Sequence, residues 1–222
     1  MKILVLLPRI PWPLEKGDKL RAYNQIKQLA QNNELILCAI NSDKNLDKED
    51  ARKALNAFSS SIHFFDIGKM SILTNLAKAF FKGLPMQCGY FYNKRIHKEI
   101  RKLIEQHNPD MLFGQLLRVA EYIRYEKTPK TIDYQDVFSM GMKRRAEIAS
   151  CYMRPFFNME YRRLRRYERE IFDDFDVKTI ISNQDRDDID HPNRDVILIV
   201  PNGVDHEYYT PQERTKKYDI VF

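Results

Sequence analysis

The chain has 222 residues, which is enough for one large domain or two small ones, with a sizeable hydrophobic core. Its hydrophobic fraction of 43% and charged fraction of 31% are typical of a globular protein and exclude a disordered chain. The net charge of +6 allows an anionic partner, such as lipid head groups, nucleotide phosphates or nucleic acid, without choosing among them.

The cysteines and the apolar runs bear on the cellular location. Cys38, Cys88 and Cys151 lie far apart and are odd in number, so they indicate neither a disulfide framework nor a metal site. The apolar run at 3–7 is too short for the core of a signal peptide, and no run is long enough to cross a bilayer. The sequence therefore predicts a cytoplasmic protein without a bound metal ion.

Strand-like and helix-like segments alternate along the chain. The predicted strands are 3–7, 35–40, 62–67, 111–113, 131–133, 179–181 and 196–200. The predicted helices are 18–32, 47–58, 71–82, 93–106, 116–125, a long stretch that ends near residue 175, and a short helix with a capping box formed by Ser182 and Asp185. This alternation predicts an α/β domain of Rossmann-like type, a mostly parallel sheet with helices on both faces.

The loop after the first predicted strand is the first candidate site, because ligands of such sheets bind beyond the carboxyl ends of the strands. Gly17 would let the backbone approach a ligand, and Asp18 opens a helix whose N-terminus suits a phosphate or sugar oxygen. Lys16 and Arg21 would add positive charge. The alternative is that Gly17 serves a tight turn and Asp18 is only a helix cap. The absence of G-x-G-x-x-G argues against a dinucleotide oxidoreductase.

The second candidate site lies where the strand from Thr131 ends. A carboxylate at this position can accept a proton or a hydrogen bond from a sugar hydroxyl, so Asp136 and Asp133 are the candidate catalytic residues. Asp136 is predicted to contact the substrate and Asp133 to support it. The alternative is that both residues cap the following helix.

The end of the sequence suggests a boundary between domains. The run 196–200 is unbroken and apolar, as in a strand buried on both faces, and a turn at Asn202 and Gly203 with Asp205 behind it ends that run. A polar run and a new strand-like segment follow. We expect one domain over 1–211, and over 212–222 a linker and the first strand of a second domain.

Three landmarks of the sequence together resemble the N-terminal half of retaining glycosyltransferases of the GT-B type, in the branch of exopolysaccharide sugar transferases. These landmarks are the loop P-W-P-L-E-K-G-D-K-L-R at 11–21, the strand end I-D-Y-Q-D-V at 132–137 and the turn P-N-G-V-D at 201–205. The sequence departs from many relatives in having one glycine in the first loop, where they carry a pair, and no His near Asp136.

The resemblance implies a parent enzyme that transfers a sugar from a nucleotide-diphosphate donor to a saccharide or lipid-linked acceptor, with retention at the anomeric carbon. It implies that the donor binds mostly to a C-terminal domain, that the donor is a substrate and no cofactor is needed, and that this chain alone has little or no activity. Glu160 and Glu168 match the spacing of the family's donor motif, but that motif belongs to the C-terminal domain, so we interpret the match as a coincidence.

Two further surfaces suggest partners. Residues 72–84 are predicted to form an amphipathic helix, and basic residues follow it. This pattern predicts contact with the anionic inner face of the membrane. The alternative is that the helix packs on the sheet. An Arg-rich helix at 153–175 could make the chain a non-catalytic module that binds nucleic acid, but the acidic residues within it argue against a nucleic-acid partner.

Overall fold

The computed structural model of the chain describes residues 1–204; the predicted Asp205 turn residue and the segment 212–222 lie outside the described residues. Within that range seven strands form one sheet. They are β1 (Lys2–Leu7), β2 (Glu34–Asn41), β3 (Ser61–Asp66), β4 (Met111–Gln115), β5 (Lys130–Gln135), β6 (Val177–Ile180) and β7 (Leu198–Ile199).

Nine α-helices accompany these strands in residues 1–204. They are α1 (Gly17–Leu29), α2 (Lys48–Leu55), α3 (Lys69–Lys82), α4 (Met86–Phe91), α5 (Lys94–His107), α6 (Ala120–Ile123), α7 (Phe138–Ile148), α8 (Arg154–Glu170) and α9 (Asn183–Asp188). Short 3₁₀ turns occupy Leu117–Val119, Phe172–Asp174 and Arg194–Val196. None of the described helices combines the length and apolar character needed to cross a bilayer.

All neighbouring strands pair in parallel, in the order β3-β2-β1-β4-β5-β6-β7. The predicted α/β, Rossmann-like fold class is thereby confirmed. The strand order reverses direction between β1 and β4, so a crevice opens where their carboxyl ends diverge. The loops that follow β1, β4 and β5 therefore meet at one edge of the sheet.

The core has two parts because alternate residues of a strand point to opposite faces of the sheet. Leu4 and Leu6 of β1 belong to the cluster that packs with α4, α5 and α8. Val5 and Leu7 belong to the cluster that packs with α1 and α2. All four are almost completely buried, so β1 is the centre of the domain.

The prediction of a last strand buried on both faces is wrong. Only Leu198–Ile199 pairs, and β7 has a neighbour on one side alone because it is the last strand of the described sheet. Val196 is 59% exposed and Leu198 is 56% exposed. The apolar run predicted a strand correctly, but a local pattern does not indicate where in the sheet that strand lies.

Two helix predictions also need correction, and one helix was missed. The long helical stretch consists of α7 and α8, which are separated at 149–153, with Pro155 in the first turn of α8. The predicted helix 116–125 is a 3₁₀ turn followed by the four-residue α6. Helix α4 was not predicted. The Ser182 cap is confirmed, because its hydroxyl accepts a hydrogen bond from the Asp185 amide.

Glu160 and Glu168, two turns apart on α8, support the starts of two other helices. Glu168 accepts a hydrogen bond from the Ser139 amide at 3.0 Å, at the start of α7. Glu160 accepts one from the Gln87 amide at 3.3 Å, at the start of α4. Negative charge at a helix N-terminus satisfies free amides and matches the helix dipole. Helix α8 thus holds α4 and α7 in place through two buried carboxylates.

Glu168 should make the stability of the fold depend on pH. Burial raises the pKa of Glu168 to about 7, although the amides of α7 act in the opposite direction. A carboxyl group whose pKa is higher in the folded state stabilises the fold at low pH and loses that contribution as pH rises from its unfolded value through 7. At about 1.4 kcal/mol per pKa unit, E168Q should gain about 3 kcal/mol relative to the parent chain between pH 4.5 and 8.

Chemical denaturation of both chains across this pH range measures the difference. The control is E105Q, which removes an exposed carboxylate from α5 and should show no such trend. A difference between E168Q and the parent that stays constant with pH would contradict the prediction.

Candidate functional site at the carboxyl edge of the sheet

Arg21 and Asp133 form a buried ion pair that joins two predicted site regions. Arg21 Nε donates to Asp133 Oδ2 at 2.9 Å, and Arg21 Nη2 donates to Asp133 Oδ1 at 3.1 Å. Arg21 is 8% exposed and Asp133 is fully buried. Such a two-pronged pair fixes both distance and orientation. The first turns of α1 are therefore anchored to the end of β5.

The Asp133 carboxylate accepts four hydrogen bonds within the protein, so it has no lone pair left for a ligand. Besides Arg21, its carboxylate accepts hydrogen bonds from Gln25 Nε2 at 2.9 Å and Thr179 Oγ1 at 2.8 Å. Four hydrogen bonds match the accepting capacity of an ionised carboxylate. This geometry suits a positioning role, the support that was predicted for Asp133, better than a direct role in catalysis.

The predicted turn at the end of the described chain reaches the same ion pair. Arg21 Nη1 donates to the Asn202 side-chain oxygen at 2.9 Å. Arg21 thus contacts both a β5 carboxylate and the segment after β7. Asn202 and Gly203 are exposed, so this segment is open to solvent.

Lys16, Gly17 and Asp18 stand at the start of α1, as predicted. The helix begins at Gly17, the N-cap residue Lys16 makes no side-chain cap, and the Lys19 amide donates to Asp18 Oδ1 at 3.1 Å. Lys16 and Gly17 are exposed. A Cβ added to Gly17 would meet no atom within 4 Å, so packing does not require glycine there. Asp18 accepts a hydrogen bond from Arg9 Nη1 at 2.6 Å, so its charge is paired. The free end of α1 therefore faces open space.

Asp136 lies exposed, one residue beyond the end of β5. Although the residue is exposed, partial desolvation of its carboxyl group raises the pKa of Asp136, and the nearby Asp185 carboxylate adds to this shift. It does not cap α7, which starts without a side-chain cap at its first position and receives Glu168 instead. Asp136 is thus a carboxylate without a structural partner among the hydrogen bonds of the described residues.

Backbone strain marks the two strand ends beside this carboxylate. Gln135 has a φ of 62° and Leu116 a φ of 64°, a region that residues other than glycine rarely adopt. The Leu116 amide donates to the Asp133 carbonyl at 2.7 Å, which joins the residue after β4 to β5. Strain of this kind persists where the surrounding structure enforces it, and it is frequent at functional sites.

Arg118 is a site residue that the sequence analysis missed. It follows β4 and donates from Nη2 to Gln87 Oε1 at 2.9 Å, while its guanidinium lies over the Phe91 and Phe138 rings at 5.3 and 4.9 Å. Burial lowers the pKa of Arg118, but arginine stays charged. Its position directly after a strand was a usable signal, which the interpretation of 116–125 as a plain helix concealed.

A pocket of about 340 Å³ opens in front of Arg118. Its walls come from the loops after β1, β2 and β4 and from α3 and α4. The lining residues are Arg9, Ser42, Leu76, Met86, Gln87, Tyr90, Phe91 and Arg118. An apolar pocket with a few convergent polar groups is the usual form of a small-molecule site. Two arginines make it suited to an organic ligand that carries negative charge.

Comparison with known proteins identifies the fold and not the family. No protein-family model and no curated protein matches this chain. Among solved structures, Phytolacca americana UGT2 in complex with UDP-2-fluoro-glucose and pterostilbene has a TM-score of 0.52 at 12% identity, covering 92% of this chain and 53% of that one. Medicago truncatula UGT71G1 in complex with UDP-glucose also has a TM-score of 0.52 at 12% identity, covering 97% and 54%.

A UDP-glucosyltransferase from Polygonum tinctorium, in complex with 3,4-dichloroaniline, is similar to the same extent, with a TM-score of 0.50 and 12% identity, covering 91% of this chain and 52% of that one. The chain thus spans about half the length of the solved structures it matches. These similarities show that the chain has the Rossmann-like fold of one half of a GT-B protein.

The Arg21–Asp133 pair can be tested by a double-mutant cycle. R21M and D133N should each cost about 3–5 kcal/mol, because each leaves a buried charge without its partner. The double variant should cost less than the sum of the two. Urea denaturation measures all three free energies of unfolding.

The matched control is D66N, which breaks the largely exposed Lys48–Asp66 pair and should cost less than about 1 kcal/mol. Additive costs for R21M and D133N would show that the two side chains do not act as a pair.

Proposed function

We propose that this chain is the acceptor-side domain of a glycosyltransferase that uses a nucleotide-diphosphate sugar. The observation that carries the proposal is the convergence at one sheet edge of the open start of α1, the unpartnered Asp136 and the arginine-lined pocket. It is supported by solved structures of the same half-fold that hold UDP-sugars. The predicted exopolysaccharide-type function, with a saccharide or lipid-linked acceptor, is part of this proposal.

The donor nucleotide, in this proposal, binds mainly to a second Rossmann-like domain that begins within 212–222, and the chain alone is inactive. The N-terminus of α1 in this domain contacts the donor phosphates. Lys16 supplies a positive charge, and Gly17 leaves room for the diphosphate to approach the free amides of the helix. Arg21 and Asp133 hold that helix against β5 and position it.

The transfer proposed retains the configuration at the anomeric carbon. The bond from that carbon to the diphosphate oxygen breaks, and a bond to an acceptor hydroxyl forms on the same face of the sugar. The acceptor proton passes to the leaving phosphate, so no dedicated base is required. Asp136 accepts a hydrogen bond from the acceptor and orients its reacting hydroxyl. The arginine-lined pocket holds the remainder of the acceptor at the edge of the same crevice.

Asp136 should matter for turnover and not for folding. In a longer gene product that carries the proposed second domain, D136A should lower kcat by about a hundredfold for the donor that is consumed, because the group that orients the acceptor hydroxyl is lost. Nucleotide release from a panel of UDP-, GDP- and ADP-sugars measures this. D187A, which changes an exposed aspartate on α9, should leave turnover unchanged. Consumption of no donor with any acceptor would overturn the proposed function.

Gly17 should matter for donor binding. G17V fills open space before the α1 amides, where an added Cβ meets no atom within 4 Å, so the thermal midpoint should stay within a few degrees of the parent value. The KM for the donor should rise roughly tenfold, since the diphosphate loses its close approach to the helix. An unchanged KM would remove Gly17 from the binding site.

A further inference from the structure

Helix α3 presents an apolar stripe to solvent. Met70 is 75% exposed, Leu73 64%, Phe80 46% and Phe81 87%. Together with the exposed Ala77, these residues lie within an arc of about 100° around the helix axis at 3.6 residues per turn. They form the α3 stripe. Large apolar side chains gathered in this way mark a surface that contacts something other than water.

The stripe is not the face that packs on the domain. Ala79 points inward, 3% exposed, and Leu76 lines the arginine pocket. A Cβ on Gly89 of α4 would lie 2.3 Å from the Ala79 Cβ, so α3 and α4 are in close contact and α3 cannot turn its stripe inward. The amphipathic helix, for which packing on the sheet was one of the two predictions, packs with one side on α4, and its other apolar side is exposed.

The charges around the α3 stripe have one sign. Lys69 borders one edge of the stripe and Lys78 lies beyond the other edge, while Lys82 lies farther round the helix; all three are exposed. From 67 to 98 the chain has no Asp or Glu and has six Lys or Arg, in a protein with 31 acidic residues among 222. This segment therefore attracts a negatively charged partner and contains no carboxylate that would repel it.

Helix α8 adds cations at the end of the stripe. Arg163 donates to the Phe80 carbonyl at 2.9 Å and lies over the Phe80 ring at 5.0 Å. Arg166 donates to the Gly83 carbonyl at 2.9 Å, where α3 ends. Both arginines bond carbonyls at the end of α3 and fix that end of the helix. Arg166 is also paired with Glu170 at 3.4 Å, so Arg163 is the arginine that adds positive charge there.

We propose that the α3 stripe docks this domain on the surface of an anionic lipid bilayer. A helix that lies in the plane of a membrane buries an apolar stripe below the head groups and keeps lysines at its edges to contact lipid phosphates. The α3 stripe has this arrangement, with aromatic and aliphatic side chains between two lysine borders. An acidic protein surface would match the lysines but leaves Phe81, Met70 and Leu73 without an apolar partner.

Docking at the α3 stripe would serve the proposed transfer reaction, and for this purpose alone the inference rests on the proposed function. Leu76 belongs to the same helix as the stripe and lines the pocket that Arg9 and Arg118 face. An acceptor whose lipid end stays in the bilayer could thus place its charged head group beside the two arginines. Lipid-linked acceptors are therefore favoured over free saccharides.

Sedimentation with lipid vesicles tests the docking surface without any sugar donor. The chain should bind vesicles of phosphatidylcholine with about one third phosphatidylglycerol, and should bind pure phosphatidylcholine weakly, with binding to the anionic vesicles falling as salt increases. L73S/F81S should weaken partitioning roughly tenfold because the stripe loses apolar contact. K78E/K82E should weaken it roughly tenfold or more on the anionic vesicles.

Two controls separate the α3 stripe from general stickiness. I148S removes an apolar residue that is 88% exposed on α7, and K27E/K53E reverses two exposed lysines on α1 and α2. Both should bind vesicles as the parent chain does. Thermal unfolding checks that every variant is folded.

Three results would overturn the docking proposal. The first is no binding to the anionic vesicles, and the second is an equal loss of binding in the variants and their controls. The third is a dimer in light scattering without lipid that L73S/F81S converts to a monomer, which would make the stripe a contact between two copies. Vesicle binding without consumption of any nucleotide sugar would support docking while the transfer function fails, so the two outcomes are distinguishable.

Discussion

The buried Arg21–Asp133 pair is the interaction on which the candidate site depends. It joins residues 112 positions apart in the chain and sets α1 against the carboxyl end of β5. A buried charge without its partner is costly, so the pair imposes one arrangement of the two elements. Through Asn202 the same guanidinium also holds the segment after β7. The open start of α1 and the exposed Asp136 owe their relative positions to this contact.

A second constraint acts from the opposite side of the site. Helix α8 places Glu160 under α4 and Glu168 under α7, and both carboxylates are buried. Helix α4 supplies one wall of the arginine pocket, and α7 follows directly after Asp136. The spacing of Glu160 and Glu168, which resembled a donor motif, therefore has a structural cause in this chain. The two residues lie two turns apart on α8 and each bonds the start of a different helix. The carboxylates are used as caps and do not face the crevice.

Charge is distributed differently on the two functional surfaces. Beside the crevice, Arg9 and Arg118 line the pocket and each is held by a hydrogen bond within the protein, whereas Arg21 is buried and bonded to Asp133 and Asn202. On the α3 stripe the lysines are exposed and unconstrained, which suits a fluid surface of many phosphates. Leu76 belongs to both the stripe helix and the pocket wall, so the proposed docking on a bilayer would place the pocket close to the lipid surface.

The sequence by itself determined which segments form strands and that strands alternate with helices, as in a parallel sheet. The spacing of apolar residues and the turn residues that show this are local properties of the chain. It also predicted that Lys16, Gly17, Asp18, Arg21 and Asp136 lie in segments that follow strands, and the sheet brings these segments to one edge. Only the tertiary structure decided that Asp133 is paired with Arg21, that Arg118 enters the pocket, that β7 is an exposed edge and that one side of α3 faces solvent. Each of these depends on contacts between residues distant in the chain, and a local pattern carries no information about which distant groups share a charge or a face.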